Sequence, residues 1–471
     1  MLLKKTMPWL DSNHYTEQIK GRDRKSTKPK FSCSDQSYKR DVPPLHPVCA
    51  SSDRFTMMHA ALSIWILSAV ICVGRGHHHI GHTTVEDPAV QDTALSSNSI
   101  SRVTAANKEF SYRLYRKLAA HAGSQGKNIF YSPVSVSVAL AALSVGARGD
   151  THRQLHSGLG FNNTLLTQAD VDQAFKVLLD QANATSREDI SAGTAVFVDN
   201  SFKPRPEFLE TLKQFYLADG FNVDFTKTTE SANTINNYVG EKTNGKIAEL
   251  VSNLDPNTVM YLISYIYFKG KWATPFDPEL TKPDMFVVDE NTRVPVQMMN
   301  KEGRFDTYYD QAINTSVLHL PFNSTYSMLL LLPDDMATLE NAICPGHVTK
   351  WLKWMKPRTY DVYVPKFSIK SSYKLNNVLT EMGMTDIFSD NADLSGIAEG
   401  QKLVVSEVVH QATLDVDEAG ATAAAATGIG ITLMSFRHIP VLKFDRPFMV
   451  VIAVRNTENV LFMGKIINPN I

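Results

Sequence analysis

The sequence predicts an α+β fold. Three observations carry this: helical spacing dominates the first half of the chain, strand-like segments dominate the second, and the two never settle into the strict alternation of a doubly wound sheet. Over Ala105–Ala122 the residues Phe110, Tyr112, Leu114, Tyr115, Leu118 and Ala119 fall largely on one side of a helix. Ser132 followed by Pro133 fits a capped start for a second helix through SPVSVSVALAALSVGA. Further helices are expected over Ala169–Ala182 and Ser231–Thr243. β-branched and aromatic residues predict strands at Thr194–Asp199, Met260–Trp272, Ser327–Pro333, Tyr360–Ile369, Met449–Val454 and Val460–Ile466. No internal repeat is present.

The chain has 471 residues, 43% hydrophobic and 20% charged, enough to bury a large core. A formal net charge of −1 gives no global basic field, so no nucleic-acid partner is expected. An apolar run from Ala60 to Val73 (AALSIWILSAVICV) is short for a membrane span and suits the core of a secretory signal. It follows Met57 and Met58, and Gly74 and Gly76 offer small residues for cleavage. The expected organisation is therefore a polar upstream extension over 1–56, a signal peptide over 57–76, a flexible mature terminus over 77–103 and one folded domain over 104–471. The rival reading of the apolar run is an uncleaved internal anchor. After cleavage Cys344 would be the only one of the four cysteines left, a lone thiol. Four Asn-x-Ser/Thr triplets, at Asn162, Asn183, Asn314 and Asn323, fit passage through the secretory route and are candidate glycosylation sites.

No enzyme motif emerges. There is no GxSxG, HExxH or GxxxxGK[ST], and the GIG at Gly428–Gly430 lacks both the third glycine of a dinucleotide loop and a following helix. No catalytic role and no cofactor are expected. His77, His78, His79 and His82 carry imidazoles suited to transition metals, yet without a surrounding fold they read as a polar terminus, and no metal is assigned to them. His410 lies between two strand-like segments and reads as a structural histidine satisfied by hydroxyls.

One stretch resists this inventory: EAGATAAAATGIGITLMSFRHIP, Glu418–Pro440. Alanine is the best helix former, but the interspersed Gly and Thr residues and the lack of an apolar stripe argue against a helix.

The order of motifs resolves it. NIFYSPVSVSVALAALSVGARGDTHRQL from Asn128, YFKGKWATPFD from Tyr267, DLSGI from Asp393, EAGATAAAA from Glu418, FDRPF from Phe444 and LFMGKIINP from Leu461 stand in the order of the serpin family's motifs. Over Thr104–Ile471 the chain resembles the secreted, antitrypsin-like (clade A) members of that family. The resemblance implies three β-sheets, about nine helices and an exposed reactive loop near the carboxyl end. It also implies suicide inhibition of a serine protease: the protease attacks the loop, an acyl-enzyme forms, and the loop inserts as a new central strand before the ester is hydrolysed.

The physics of insertion explains the alanines. A loop that becomes a central strand must send every second side chain into a packed interior. The family register makes Ala421, Ala423, Ala425, Thr427, Ile429 and Ile431 that inward set, within a hinge of Glu418, Ala419, Gly420, Ala421, Thr422, Ala423, Ala424, Ala425 and Ala426. A strand of about fifteen residues gaining ladder bonds at roughly 0.5–1.5 kcal/mol each contributes on the order of 10–20 kcal/mol before entropy costs.

Counting from Glu418 as the family does places the attacked bond between Met434 and Ser435, with Phe436 and Arg437 as alternative sites because the segment before FDRPF is about two residues longer than in antitrypsin. An unbranched apolar Met suits elastase-like or chymotrypsin-like proteases. The resemblance further assigns Trp272 and Lys366 to the region where the loop enters the sheet, with Lys366 paired to Glu418. It assigns Asn128, Ser132, Ser135, Ser264 and His410 to a cluster under the sheet, where Ser264 replaces the Asn usual in the family. The segment TLLTQADVDQAFKVLLDQ carries a single Lys among acids, so no glycosaminoglycan activation is expected. A monomer without stable membrane association is expected. The alternative reading is a non-inhibitory serpin carrying a hormone or another small apolar ligand, which would show a saturable apolar site.

Overall fold

The structure is a computed structural model and describes residues 88–185, 190–400, 402–419, 438–455 and 457–471. All of them belong to one compact unit, Val48–Ile471. The predicted leader, the polar extension and most of the reactive loop, Gly420 to Arg437 with Met434 and Ser435, lie outside the described residues.

In chain order the elements are α1 (Pro88–Ala120), β1 (Ile129–Tyr131), α2 (Pro133–Gly146), α3 (Gly149–Leu159), α4 (Gln168–Thr185), β2 (Ile190–Asp199), α5 (Pro206–Tyr216), β3 (Asp219–Val223) and α6 (Thr228–Lys242). They continue with β4 (Met260–Phe268), β5 (Lys282–Val287), β6 (Arg293–Asp310), β7 (Thr315–Pro321), β8 (Tyr326–Pro333), α7 (Met336–Ala342), α8 (Pro345–Trp354), β9 (Lys356–Pro365), β10 (Phe367–Lys374) and α9 (Asn376–Glu381). The last four strands are β11 (Glu407–Val416), β12 (Val441–Lys443), β13 (Phe448–Val454) and β14 (Val460–Ile466).

The strands form a five-stranded sheet ordered β10-β11-β4-β2-β3 and a nine-stranded one ordered β1-β14-β13-β8-β7-β6-β9-β12, with β5 also on β6. The 18-residue β6 makes the second sheet continuous: its first part pairs with β5 and β9, its last residues with β7. Among the described residues the strands thus form two hydrogen-bonded sheets where three were expected, because the long β6 carries the β5–β6–β9–β12 section into the β7 ladder.

Every residue of β4 is buried, because the five-stranded sheet is covered on both faces. Tyr261, Ile263, Tyr265 and Tyr267 pack with Ile235 and Val239 of α6, while Ile266 and Phe268 pack between the sheets. Helices α1 to α5 cover the remaining core around Leu140, Leu143 and Phe175. Gly464 of β14 permits the close approach of β1, since a Cβ there would lie 2.0 Å from the Ile129 carbonyl oxygen.

One expectation is corrected. Tyr360–Ile369 is not a single strand: Pro365 ends β9, and after Lys366 the chain crosses to the other sheet as β10. Proline has no N–H for a ladder and so suits a strand end.

Candidate functional site: the root of the reactive loop

The central strand β11 is held unequally. On one side β10 pairs antiparallel with it, from Phe367↔Val416 to Lys374↔Val409. On the other β4 runs parallel to it, from Glu407↔Tyr261 to Leu414↔Phe268. Parallel pairing is slightly the less stable per residue.

Beyond Val416 the chain leaves the sheet through Asp417, Glu418 and Ala419, and the residues after β4 grip it there. Trp272 donates its ring N–H to the Asp417 carbonyl (2.7 Å) and its backbone N–H to the Ala419 carbonyl (3.1 Å). Phe276 donates its N–H to the Glu418 carbonyl at 3.2 Å. The indole is buried and stacked on Phe322, with centroids 4.5 Å apart. Lys366 Nζ lies 2.7 Å from Glu418 Oε2, and Thr281 Oγ1 donates to Glu418 Oε1 at 2.7 Å. Lys269 pairs with Asp417 at 2.8 Å. Burial raises the Glu418 carboxyl, but the Lys366 and Thr281 hydrogen bonds outweigh it and hold the group below its usual range.

Replacing Glu418 by Lys would set two ammonium groups together and remove the acceptor for Thr281. The Glu418 side chain is only 11% exposed but Lys366 is 38% exposed, so solvent screening moderates the effect. Glu418→Lys is expected to lower stability by about 1–3 kcal/mol, read as a fall in thermal midpoint, with Glu418→Gln falling less.

The second cluster lies lower on the same ladder. His410 stands opposite Ser264 across β11 and β4. Its Nε2 accepts from the Ser132 backbone N–H at 2.9 Å, so the ring proton sits on Nδ1, 3.2 Å from Ser264 Oγ. Ser132 Oγ caps α2 by accepting from the Ser135 N–H at 3.2 Å. The capped end of α2 is thereby fixed to the centre of the sheet. Burial pushes the His410 imidazole down to about 3. The histidine expected to be satisfied by hydroxyls has one hydroxyl and one backbone amide.

Asn128 is not brought to this cluster. Its Nδ2 donates to the carbonyls of Asn468 (2.6 Å) and Ile471 (2.9 Å), and its Oδ1 accepts from the N–H groups of Ile467 and Asn468. It anchors the carboxyl-terminal tail instead. Sequence reading also passed over Thr281 and Lys269, since nothing in a linear pattern marks an isolated Thr or Lys as the partner of a residue over a hundred positions away.

With this geometry in view, comparison with known proteins is decisive. The family model for serpins, serine protease inhibitors, matches residues 105–469. The chain belongs to the serpin family. An alpha-1-antitrypsin-like protein of Tamias sibiricus is 41% identical over 412 residues, covering 86% of this chain and 97% of the relative. Serpin A3-5 of Bos taurus is 40% identical over 393 residues, covering 83% and 94%. Among solved structures, human thyroxine-binding globulin complexed with thyroxine superposes with a TM-score of 0.74 at 34% identity, covering 79% of this chain and all of that one. This serpin is thus of the antitrypsin-like, clade A kind, and its family is one of protease inhibitors.

Asn162, Asn183, Asn314 and Asn323 are all exposed in this serpin. On α4, the one Lys of the acidic segment is paired with Asp180 at 3.0 Å. Among the described residues no helix is long and apolar enough to cross a membrane. The lone thiol expected of Cys344 concerns a cleaved chain without Cys33, Cys49 and Cys72, which lie outside the described residues.

Proposed function

We propose that this serpin is a secreted suicide inhibitor of elastase-like or chymotrypsin-like serine proteases, offering the Met434–Ser435 bond. One observation carries the reading. The reactive loop leaves β11 beside the parallel β4–β11 ladder, and a chain turning back between these two strands would run antiparallel to both. Insertion would exchange one parallel ladder for two antiparallel ones.

The chemistry is the protease's. Its serine Oγ attacks the Met434 carbonyl carbon, the bond to the Ser435 nitrogen breaks, and that nitrogen leaves with a proton from the protease's histidine. Met434 remains as an ester on the enzyme. The inhibitor contributes the insertion that follows, begun by the small residues from Ala421. Residues 57–76 act as the signal peptide, the serpin domain spans 104–471, and the four exposed sequons are its glycosylation sites. No glycosaminoglycan is needed, and the inhibitor acts as a monomer.

The test is to mix the mature protein with pancreatic elastase and, separately, chymotrypsin. The expected result is a band near the summed mass that survives denaturing electrophoresis, with a released fragment beginning at Ser435. Cleavage without such a band in either mixture would overturn the inhibitory reading.

A carrier role is the second reading, favoured by the likeness to the globulin solved with thyroxine. A cavity of about 370 Å³ lined by Val134, Val138, Phe175, Leu178 and Leu461 has the size and apolar walls of a small-ligand site. Saturable binding of an apolar fluorophore, together with no covalent complex, would put this reading first.

A further inference from the structure

The groove between α3 and α4 holds a polar cluster that loop insertion does not use. His152 and His156 stand four residues apart on α3, hence on one face, with ring centroids 4.0 Å apart. Both direct Nε2 at one atom: Gln168 Oε1, in the first turn of α4, lies 2.9 Å from His152 Nε2 and 3.0 Å from His156 Nε2. Ser144 Oγ is 3.0 Å from the same oxygen. Three groups converge on an amide oxygen that has two lone pairs.

The surroundings hold this arrangement rigidly. Gln168 Nε2 donates to Asp172 Oδ1 at 2.7 Å, and Tyr216 of α5 donates to the same carboxylate oxygen at 2.5 Å. His156 is fully buried. His152 is only half-buried, which leaves the cluster open to solvent on that side.

We propose that His152, His156 and Gln168 form a site for a divalent transition metal of the zinc class, with water completing the coordination. Two imidazoles four apart on a helix are a chelating pair, and imidazole favours zinc, copper and nickel over the harder cations. Ligand atoms around a tetrahedral zinc, each at 2.0–2.1 Å, lie about 3.3 Å from one another. The observed Nε2–Oε1 separations fall a few tenths of an ångström short of that, so a small outward shift admits the ion. Asp172 acts from behind, orienting the Gln168 amide so that its oxygen faces the imidazoles. The bound ion would cross-link α3 to α4.

The test must silence the terminal histidines, so that any binding is read from the folded domain alone. In the full chain with His77, His78, His79 and His82 replaced by Ala, Zn²⁺ titration by calorimetry is expected to show one equivalent bound and a raised thermal midpoint. Adding His152→Ala is expected to weaken binding about 100-fold or more and to remove the Zn²⁺-induced rise, read against that variant's own metal-free midpoint. His156→Gln provides a second variant, and Co²⁺ provides a spectroscopic probe of nitrogen ligation in the parent. Binding that vanishes once the terminal histidines are replaced would overturn the proposal. So would binding that persists unchanged in both ligand variants.

Discussion

Acidification through pH 6 is expected to destabilise this serpin steeply, and His410 is expected to be a principal cause. The imidazole is completely buried, and burial holds its folded pKa at about 3, against an ordinary value of 6.5. Above pH 6.5 the ring is neutral whether the chain is folded or not, so it contributes no pH dependence. Below that, the unfolded state takes up a proton that the folded state refuses. Stability therefore falls as pH drops from 6.5 towards 3, by as much as about 5 kcal/mol at the lower limit. His410→Ala should abolish this component at its own cost, since the Ser132 N–H loses its acceptor and a cavity opens between α2 and the sheet. That cost is about 3–5 kcal/mol at pH 8. Thermal midpoints of both proteins across pH 4–8 check the claim: the wild-type curve should fall more steeply than the variant's below pH 6.5. Parallel curves would remove His410 from the account.

How much of this could be read in advance depends on the range of the interaction. Val460–Ile466 has its expected bounds because an apolar run buried on both faces declares itself locally, as does the buried run of β4. The start of α2 was legible because Ser132 and Pro133 are local cap signals. The division of Tyr360–Ile369 was not, since the residues on both sides of Lys366 favour strand and only the choice of neighbour differs. Helix α3 was missed for a related reason: GDTHRQLHSGL has few apolar positions, and its polar face is satisfied by α4 rather than by solvent. At the site, the Lys366–Glu418 pair and the position of Trp272 came through family motifs. Thr281, Lys269 and the tail-anchoring role of Asn128 needed coordinates, because each depends on a partner far away in sequence.

A charge at the first inward position of the hinge is expected to convert the proposed inhibitor into a substrate. The interior face that an inserting chain would meet beside β4 and β11 is lined by Ser264, Ile266, Phe268, His410, Ala412 and Leu414, all essentially inaccessible to water. None is a carboxylate or a cation that could pair with an ionised side chain at neutral pH. Ala421→Glu would have to bury its carboxylate there at the first step, at a cost of several kcal/mol by order of magnitude. The gain from later ladder bonds comes only after that step, so the barrier rises while hydrolysis of the acyl-enzyme continues at its own rate. A delay of about 3 kcal/mol slows insertion roughly 100-fold, enough for hydrolysis to win the competition. Ala421→Glu should therefore be cleaved after Met434 by elastase or chymotrypsin with little or no covalent complex. Thr422→Glu, one residue on and facing the opposite side of the sheet, should retain most of the complex. The ratio of complex to cleaved inhibitor on a denaturing gel separates the two. Equal loss in both variants would mean that the hinge is sensitive to charge as such, and that insertion register does not explain its run of alanines.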